Sequence, residues 1–539
     1  AKHLNGSGNN GVVTEYSTNY RKLVSSSTLN YNTIVAEKHN IGVLVGWEAE
    51  KNDTDYLQAR GINMSTPLLT TIRTAGSYTA DGYTSGHSML SLLSRAEYSY
   101  DNKYYLSGSY RRDGSSRLGP NTRWGDFWSV GGAWRINNEQ FMKGLTTVSN
   151  LRLVASYGIN GTLPNGYYGW RSLNAYSRTY MNNPAGYVST FADANLAWET
   201  NYTTNAALEI GLLQNRINAS IGYYNRDSEN LLQDVPVSRV TGFGSTLRNI
   251  GLINNNGIEI EINGDIIRNK DVRWNLGITA STLQSKVKKL YDHQQIIWWE
   301  PVDDDAQFIY REGESTLAFY GLEYAGVKEI ERNGTVWGMS MWYLNDGTKP
   351  QDAPYIINGR AATDDWTDAE EVILGDANPK LFGGINTDIS WKGFTLGLNF
   401  IYRLGGYTYD GFTYTNDDGY MFERPRSKYA YDNRWTPEHR NAKYPQWIAI
   451  DMEDVNQYSS RHMYKADYLR LKQVTLSYDI PKTIVSKAGM SGARVYFNGT
   501  NLLTFAKQDN FDPEVGALGI RSVQMPFGKT YTFGLELNF

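Results

Sequence analysis

No cysteine occurs among the 539 residues, which excludes disulfides, thiolate metal sites and a cysteine nucleophile. There is also no run of about 18 apolar residues, so the chain holds no transmembrane helix. Positive charge is not in excess: 52 Lys and Arg stand against 56 Asp and Glu, giving a net charge of -4 and an isoelectric point near 6.0. No global basic field therefore favours nucleic acid. The His residues at 3, 39, 87, 293, 439 and 462 include no pair at metal-ligand spacing. No Gly-rich phosphate loop precedes a helix, and no Ser/His/Asp spacing points to a nucleophile. The expectation is a non-enzyme with no catalytic residue, no metal and no cofactor. Asp303-Asp304-Asp305, Asp364-Asp365 and Asn345-Asp346-Gly347 offer oxygens of the kind calcium takes. The regular acidic spacing and a closing bidentate Glu are missing, so these read as solvated loop charge.

What the chain does have is 40 Tyr, 15 Trp and 52 Gly, with a mean hydropathy of -0.51. That average looks soluble, but a transmembrane β-barrel also gives it, because only alternate residues face lipid. Tyr and Trp then belong in two interfacial girdles. The last nine residues, from Tyr531 to Phe539, carry apolar side chains at every second position. On an extended backbone these share one face. Phe533, Leu535, Leu537 and Phe539 look like a closing barrel strand with its terminal aromatic assembly signal.

Alternating runs recur through most of the chain, for example Ile41-Val43-Val45-Trp47, Ile258-Ile260-Ile262 and Leu396-Leu398-Phe400-Tyr402. Tight polar turns at 37–39, 101–103, 214–215 and 392–393 suit hairpins. Long links at 159–194, 227–254, 285–379, 406–466 and 504–528 alternate with them. Short turns on one side and long loops on the other are the pattern of an outer-membrane barrel, here with roughly 16 strands. Leu469 and Leu471 fall out of phase with Val474, Leu476 and Tyr478, which a β-bulge near Lys472 would reconcile. Residues 138–148 and 482–490 read as helical turns at the short-turn side.

Several phrases resemble the SusC-like family of TonB-dependent outer-membrane transporters. They include Arg112-Asp113-Gly114-Ser115-Ser116-Arg117-Leu118-Gly119 followed by Arg123-Trp124-Gly125-Asp126-Phe127-Trp128, then Leu196-Ala197-Trp198-Glu199-Thr200. Later come Gly375-Asp376-Ala377-Asn378-Pro379-Lys380, Tyr468-Leu469-Arg470-Leu471-Lys472, Asn498-Gly499-Thr500-Asn501-Leu502 and Phe511-Asp512-Pro513-Glu514. The resemblance implies an all-β barrel of about 22 strands, of which residues 1–539 supply the C-terminal part. A plug domain and roughly six first strands have no counterpart here, and the chain opens on Ala1-Lys2-His3 without a Met. A further N-terminal segment bearing the plug is therefore expected.

The implied function is import of oligosaccharides or peptides across the bacterial outer membrane. The implied partners are a SusD-like surface lipoprotein acting as lid, TonB acting indirectly through the plug, and outer-membrane lipid; no nucleic acid is expected. Trp298, Trp299, Glu300, Asp303, Trp337 and Trp342, all in the longest link, are the candidates for contact with substrate or partner. Flat rings beside carboxylates suit sugar stacking or protein docking, and local packing is the alternative. The competing readings for the whole chain are a self-closed 16-stranded passive porin and a soluble secreted carbohydrate-binding β protein.

Overall fold

Alternation of apolar and polar residues marks much of the main sheet, since a strand turns successive side chains to opposite faces. A computed structural model describes residues 10–66, 68–299, 306–416, 426–447, 457–508, 511–522 and 525–539. Its strands are β1 (Val12–Val35), β2 (His39–Met64), β3 (Ala75–Tyr100), β4 (Tyr104–Ser115), β5 (Trp124–Arg135) and β6 (Val148–Thr162). They continue with β7 (Glu199–Leu212), β8 (Ile217–Pro236), β9 (Ser245–Arg268), β10 (Val272–Ser281) and β11 (Gln284–Lys289). The last five are β12 (Leu381–Trp391), β13 (Phe394–Leu404), β14 (Tyr468–Asp479), β15 (Gly492–Ala506) and β16 (Thr530–Asn538). All 16 belong to one sheet, ordered as they occur in the chain, with β11 lying off the path beside β9. Among the described residues no helix is long and apolar enough to cross a membrane.

The chain divides into two compact units. The first comprises Ala1–Trp134, Ala155–Thr204 and Ser228–Gly251, and the second Arg135–Val154, Asn205–Asp227 and Leu252–Phe539. In the first unit, β1 to β3 run for 24, 26 and 26 residues, far beyond the 9–11 or so that cross a bilayer. Their register places Leu29, Val43, Val45, Leu92, Leu106 and Val130 on one exposed apolar face. Exposed rings bound it: Tyr31, Tyr98, Tyr104 and Trp134 toward the short turns, and Trp47, Tyr110 and Trp128 toward the long links. The opposite face is polar, with Lys22 paired to Glu50 at 2.9 Å and Arg111 paired to Asp113 at 2.7 Å. The hairpins close through positive φ at Ala36 and Glu37 and at Asp101 and Asn102, the backbone that a tight antiparallel turn demands.

In the second unit, Lys392 and Gly393 close the β12–β13 hairpin in the same way. The bulge expected near Lys472 is present. Asn399 opposes Gln473 while Phe400 opposes Leu471, and toward β15 Leu471 meets Leu503 and Gln473 meets Thr500. The extra residue returns Leu469 and Leu471 to the face of Val474 and Leu476. The final strand pairs Phe533 with Phe497, Leu535 with Val495 and Leu537 with Ala493. Phe533 is 79% exposed and Phe539 86% exposed. The helical turns also occur, as 3-10 turns at Ile136–Asn138 and Gln140–Met142 and as the helix Lys482–Val485.

Two expectations need correction. The link at 227–254 is mostly strand, because β8 runs to Pro236 and β9 begins at Ser245. Apolar residues there fall side by side, as in Leu231-Leu232 and Leu252-Ile253, so no period of two marks these segments. The link at 285–379 is not irregular loop. It forms two four-stranded sheets, one from 296–299, 307–310, 318–322 and 371–376, the other from 324–332, 335–343, 360–363 and 355–357.

Leu535→Asp and Leu537→Asp should each reduce insertion of the protein into membranes. A charge on the lipid face at mid-depth costs about 2–4 kcal/mol for Lys or Arg and somewhat less for Asp. Glu536→Gln, on the opposite face, should be mild. Folded yield in isolated outer membranes measures both effects, and equal yields would remove the assembly role from this strand.

Candidate substrate- and partner-facing site

The candidate aromatics lie on the small sheets, and strand alternation decides what each ring touches. Trp298 stacks on Phe308 with centroids 4.6 Å apart and planes at 16°. It packs against a core made of Phe308, Phe319, Tyr409, Tyr458 and Ile520. Trp342 is fully buried, its ring set edge-on to Tyr324 at 5.5 Å. No face of that ring is open to a ligand. Trp337 opposes Ile330 and packs, half-buried, against the cluster of Ile330, Met339 and Met341. Trp299 opposes Gln307 in the ladder; its side chain lies outside the described residues, as do Glu300 and Asp303 altogether. The structure thus places Trp298, Trp337 and Trp342 in packing contacts within two sheets.

The loop carboxylates serve the same sheets. Glu323 holds Arg360 in a two-pronged pair at 2.6 and 2.7 Å, and Arg332 meets Asp364 at 2.8 Å. Asp346 accepts from the backbone N–H of Thr348 at 2.8 Å. Hydrogen bonds from the Thr348 hydroxyl and N–H lower its pKa. Asp365 caps the 366–368 turn by accepting from Thr367 at 2.9 Å. Among the described residues no three His, Asp or Glu side chains converge as a metal site.

Several of the phrases lie far apart in the sequence and are joined in the fold. In the second unit, Arg470 is 2% exposed and reaches both Asp512 and Glu514, the latter at 2.8 Å. The bulged Lys472 meets Glu514 at 2.9 Å and sits 4.6 Å above the Phe527 ring. These contacts tie the 507–529 link to β14. In the first unit, Leu118, Phe127 and Trp198 form one buried cluster. Trp198 donates its indole N–H to the Arg123 carbonyl at 3.2 Å, and the Gly119 N–H donates to the Leu196 carbonyl at 2.9 Å. Gly119 lies so close to Ala194 that a Cβ there would overlap its carbonyl. Arg470, charged between Leu469 and Leu471, was the signal for the first clasp, but sequence alone could not name its partners.

Arg470→Ala should cost about 3–5 kcal/mol, the penalty for stripping one partner from a buried ion pair. Thermal melting and faster proteolysis near residues 507–529 would register it. Trp342→Ala should cost about 3–5 kcal/mol by leaving a cavity. A milder effect is expected at His293, whose ring nitrogen lies 2.7 Å from Glu312. The hydrogen bond that His293 donates to Glu312 raises the His293 pKa, while the Leu290 N–H and then His293 lower that of Glu312. The pair therefore holds between the depressed Glu312 value and the raised His293 value. It weakens as pH rises through the latter or falls through the former. NMR titration of labelled histidine should give His293 a value above the ordinary one of about 6.5, and Glu312→Gln should remove the shift.

Residues 2–368 match the family described as TonB dependent receptor-like, beta-barrel. The TonB-dependent receptor P3 of Formosa agariphila is 29% identical over 99% of this chain and 54% of its own length. The TonB-dependent receptor SusC of Bacteroides thetaiotaomicron is 26% identical over 98% of this chain and 51% of its own length. Among solved structures, the RagAB peptide importer in its open-open state is similar over 98% of this chain and 56% of that chain. It has 27% identity and a TM-score of 0.81. The chain spans about half the length of the curated relatives it matches. It belongs to the TonB-dependent receptor β-barrel family, and its place is the bacterial outer membrane.

Proposed function

We propose that this chain is the later part of the barrel wall of a SusC-like, TonB-dependent transporter that imports oligosaccharides or peptides. The likeness along 98% of the chain to the RagAB peptide importer carries this reading. The architecture supports it. The alternating sheet suits a wall between lipid and a polar interior, and the long links form cored sheets suited to meeting a lid. β1 and β16 stand at the two ends of the strand order, and backbone groups in hydrocarbon require partners. A preceding segment of the same protein would supply those strands and the plug through which TonB acts. A SusD-like lipoprotein would cover the long-link side.

The test uses cells carrying the full-length gene. Uptake of labelled oligosaccharides and peptides should require both the gene and an energised inner membrane. Dissipating the proton gradient should stop it. Uptake that persists after dissipation would instead mark a passive porin. Replacing Trp298 and Trp299 by Ala should weaken uptake or lid association at unchanged surface abundance if these rings serve the ligand. Normal uptake at normal abundance would leave them as packing residues.

A further inference from the structure

The register that turns Leu29, Val45 and Leu92 toward lipid runs unshifted toward the long links, where β1 to β3 overrun the apolar band. Between the two sets of rings, every outward position of β1 to β5 is uncharged. Charge returns to this face only past the rings. One outward row of the ladder holds Leu23, Lys51 and Ser88, the next Arg21, Asp53 and Gly86, and the one beyond Asn19, Asp55 and Thr84. Lys51 stands four residues past Trp47. That is about 13 Å along a strand and, at a barrel's tilt, about 10 Å above the ring. Long cationic side chains bend back over such a distance toward the membrane.

Arg21 and Lys51 converge on one carboxylate, that of Asp53, at 3.2 and 3.5 Å, and their side chains stay 70% and 63% exposed. Among the described residues neither side chain has another polar partner. The trio therefore keeps a surplus positive charge, and most of its N–H donors are unused. It borders a cavity of about 530 Å³ that Asp55, Ser88 and Tyr168 also line. Asp55 forms no ion pair among the described residues. Exposed Leu23 and Leu90 carry the apolar surface from the band up to this rim.

What lies against a lipid-facing wall just past its interfacial rings is the headgroup layer. Here the cations stand nearer the apolar band and the unpaired carboxylate farther out. A phosphoethanolamine headgroup has the same order, with phosphate next to the acyl chains and ammonium beyond it. Arg and Lys suit the phosphate, and a carboxylate suits the ammonium. We propose that this cavity seats the phosphoethanolamine-type headgroup of an outer-leaflet lipid. Its phosphate sits on Arg21 and Lys51, its ammonium on Asp55, and its acyl chains run down the apolar face past Leu23. The proposal rests on the membrane placement of the sheet and is independent of what the barrel imports.

The test uses the full-length protein in nanodiscs holding phosphatidylcholine, phosphatidylethanolamine and diacylglycerol with the same chains. Native mass spectrometry identifies the lipids that stay with the released protein. The unaltered protein should retain phosphatidylethanolamine over diacylglycerol, which lacks the phosphate, and over phosphatidylcholine, which lacks the N–H donors. Arg21→Gln with Lys51→Gln should lower that retention about twenty- to thirtyfold, since each cation near a membrane surface contributes about fivefold. Asp55→Asn should remove the preference over phosphatidylcholine and keep that over diacylglycerol. Lys22→Gln with Arg95→Gln removes the same charge from the opposite face and should leave retention unchanged. Equal retention of the three lipids by the unaltered protein would overturn the proposal, and that arm stands even if a variant misfolds. So would an equal loss in both double variants, which would mark general surface charge, or an unchanged preference in Asp55→Asn. Energy-dependent uptake plays no part in this readout, so the import reading stands or falls separately.

Discussion

A backbone amide in hydrocarbon has no water to turn to, and each unmet N–H or C=O there costs several kcal/mol. The main sheet answers that constraint. Each strand pairs with the strand next along the chain, apart from the short β11, which joins β9 beside β10. The outward side chains can then be apolar and the inward ones polar, because the backbone needs neither. The tight turns at Ala36-Glu37, Asp101-Asn102 and Lys392-Gly393 keep neighbours in register. The bulge at Lys472 keeps β14 apolar on one face although its sequence slips phase.

Toward the long links the constraint relaxes, and water or packing can satisfy the backbone. Strands overrun the apolar band as polar ribbons, and the longest link builds sheets with their own aromatic cores. There two buried charges, Arg470 and Asp410, are paired within the fold. Arg470 lies between Asp512 and Glu514, and Asp410, fully buried, holds Arg521 at 2.7 Å. These pairs fix where a link lies more than they add to stability, since burying both charges offsets much of their attraction.

The barrel strands were legible where one face meets an apolar medium, because burial or lipid contact on one side forces a period of two. Ile41 to Trp47, Leu396 to Tyr402 and Tyr531 to Phe539 all read correctly for that reason. The bulge was legible as a break in the same period. The sheets within 285–379 were not, because strands such as 318–322 are buried on both faces and show no alternation. Trp298 and Trp342 illustrate the same gap: composition marks an aromatic link, but only the fold tells a packed ring from a presented one. The phrases around Asp113, Trp198, Arg470 and Asp512 were recognisable as motifs. Their pairing across 42 residues, from Arg470 to Asp512, was set by tertiary structure.

The most direct test of this account is residue-by-residue labelling of the final strand. These 539 residues contain no cysteine; with every cysteine elsewhere in the full-length protein replaced by serine, single cysteines can be placed at each position from Thr532 to Leu537. In native outer membranes, a probe on the cysteine at 533, 535 or 537 should be quenched by a lipid-soluble agent. A probe at 532, 534 or 536 should respond only to a water-soluble one. A strict two-residue alternation is the predicted result. Uniform water accessibility along the strand would contradict the account.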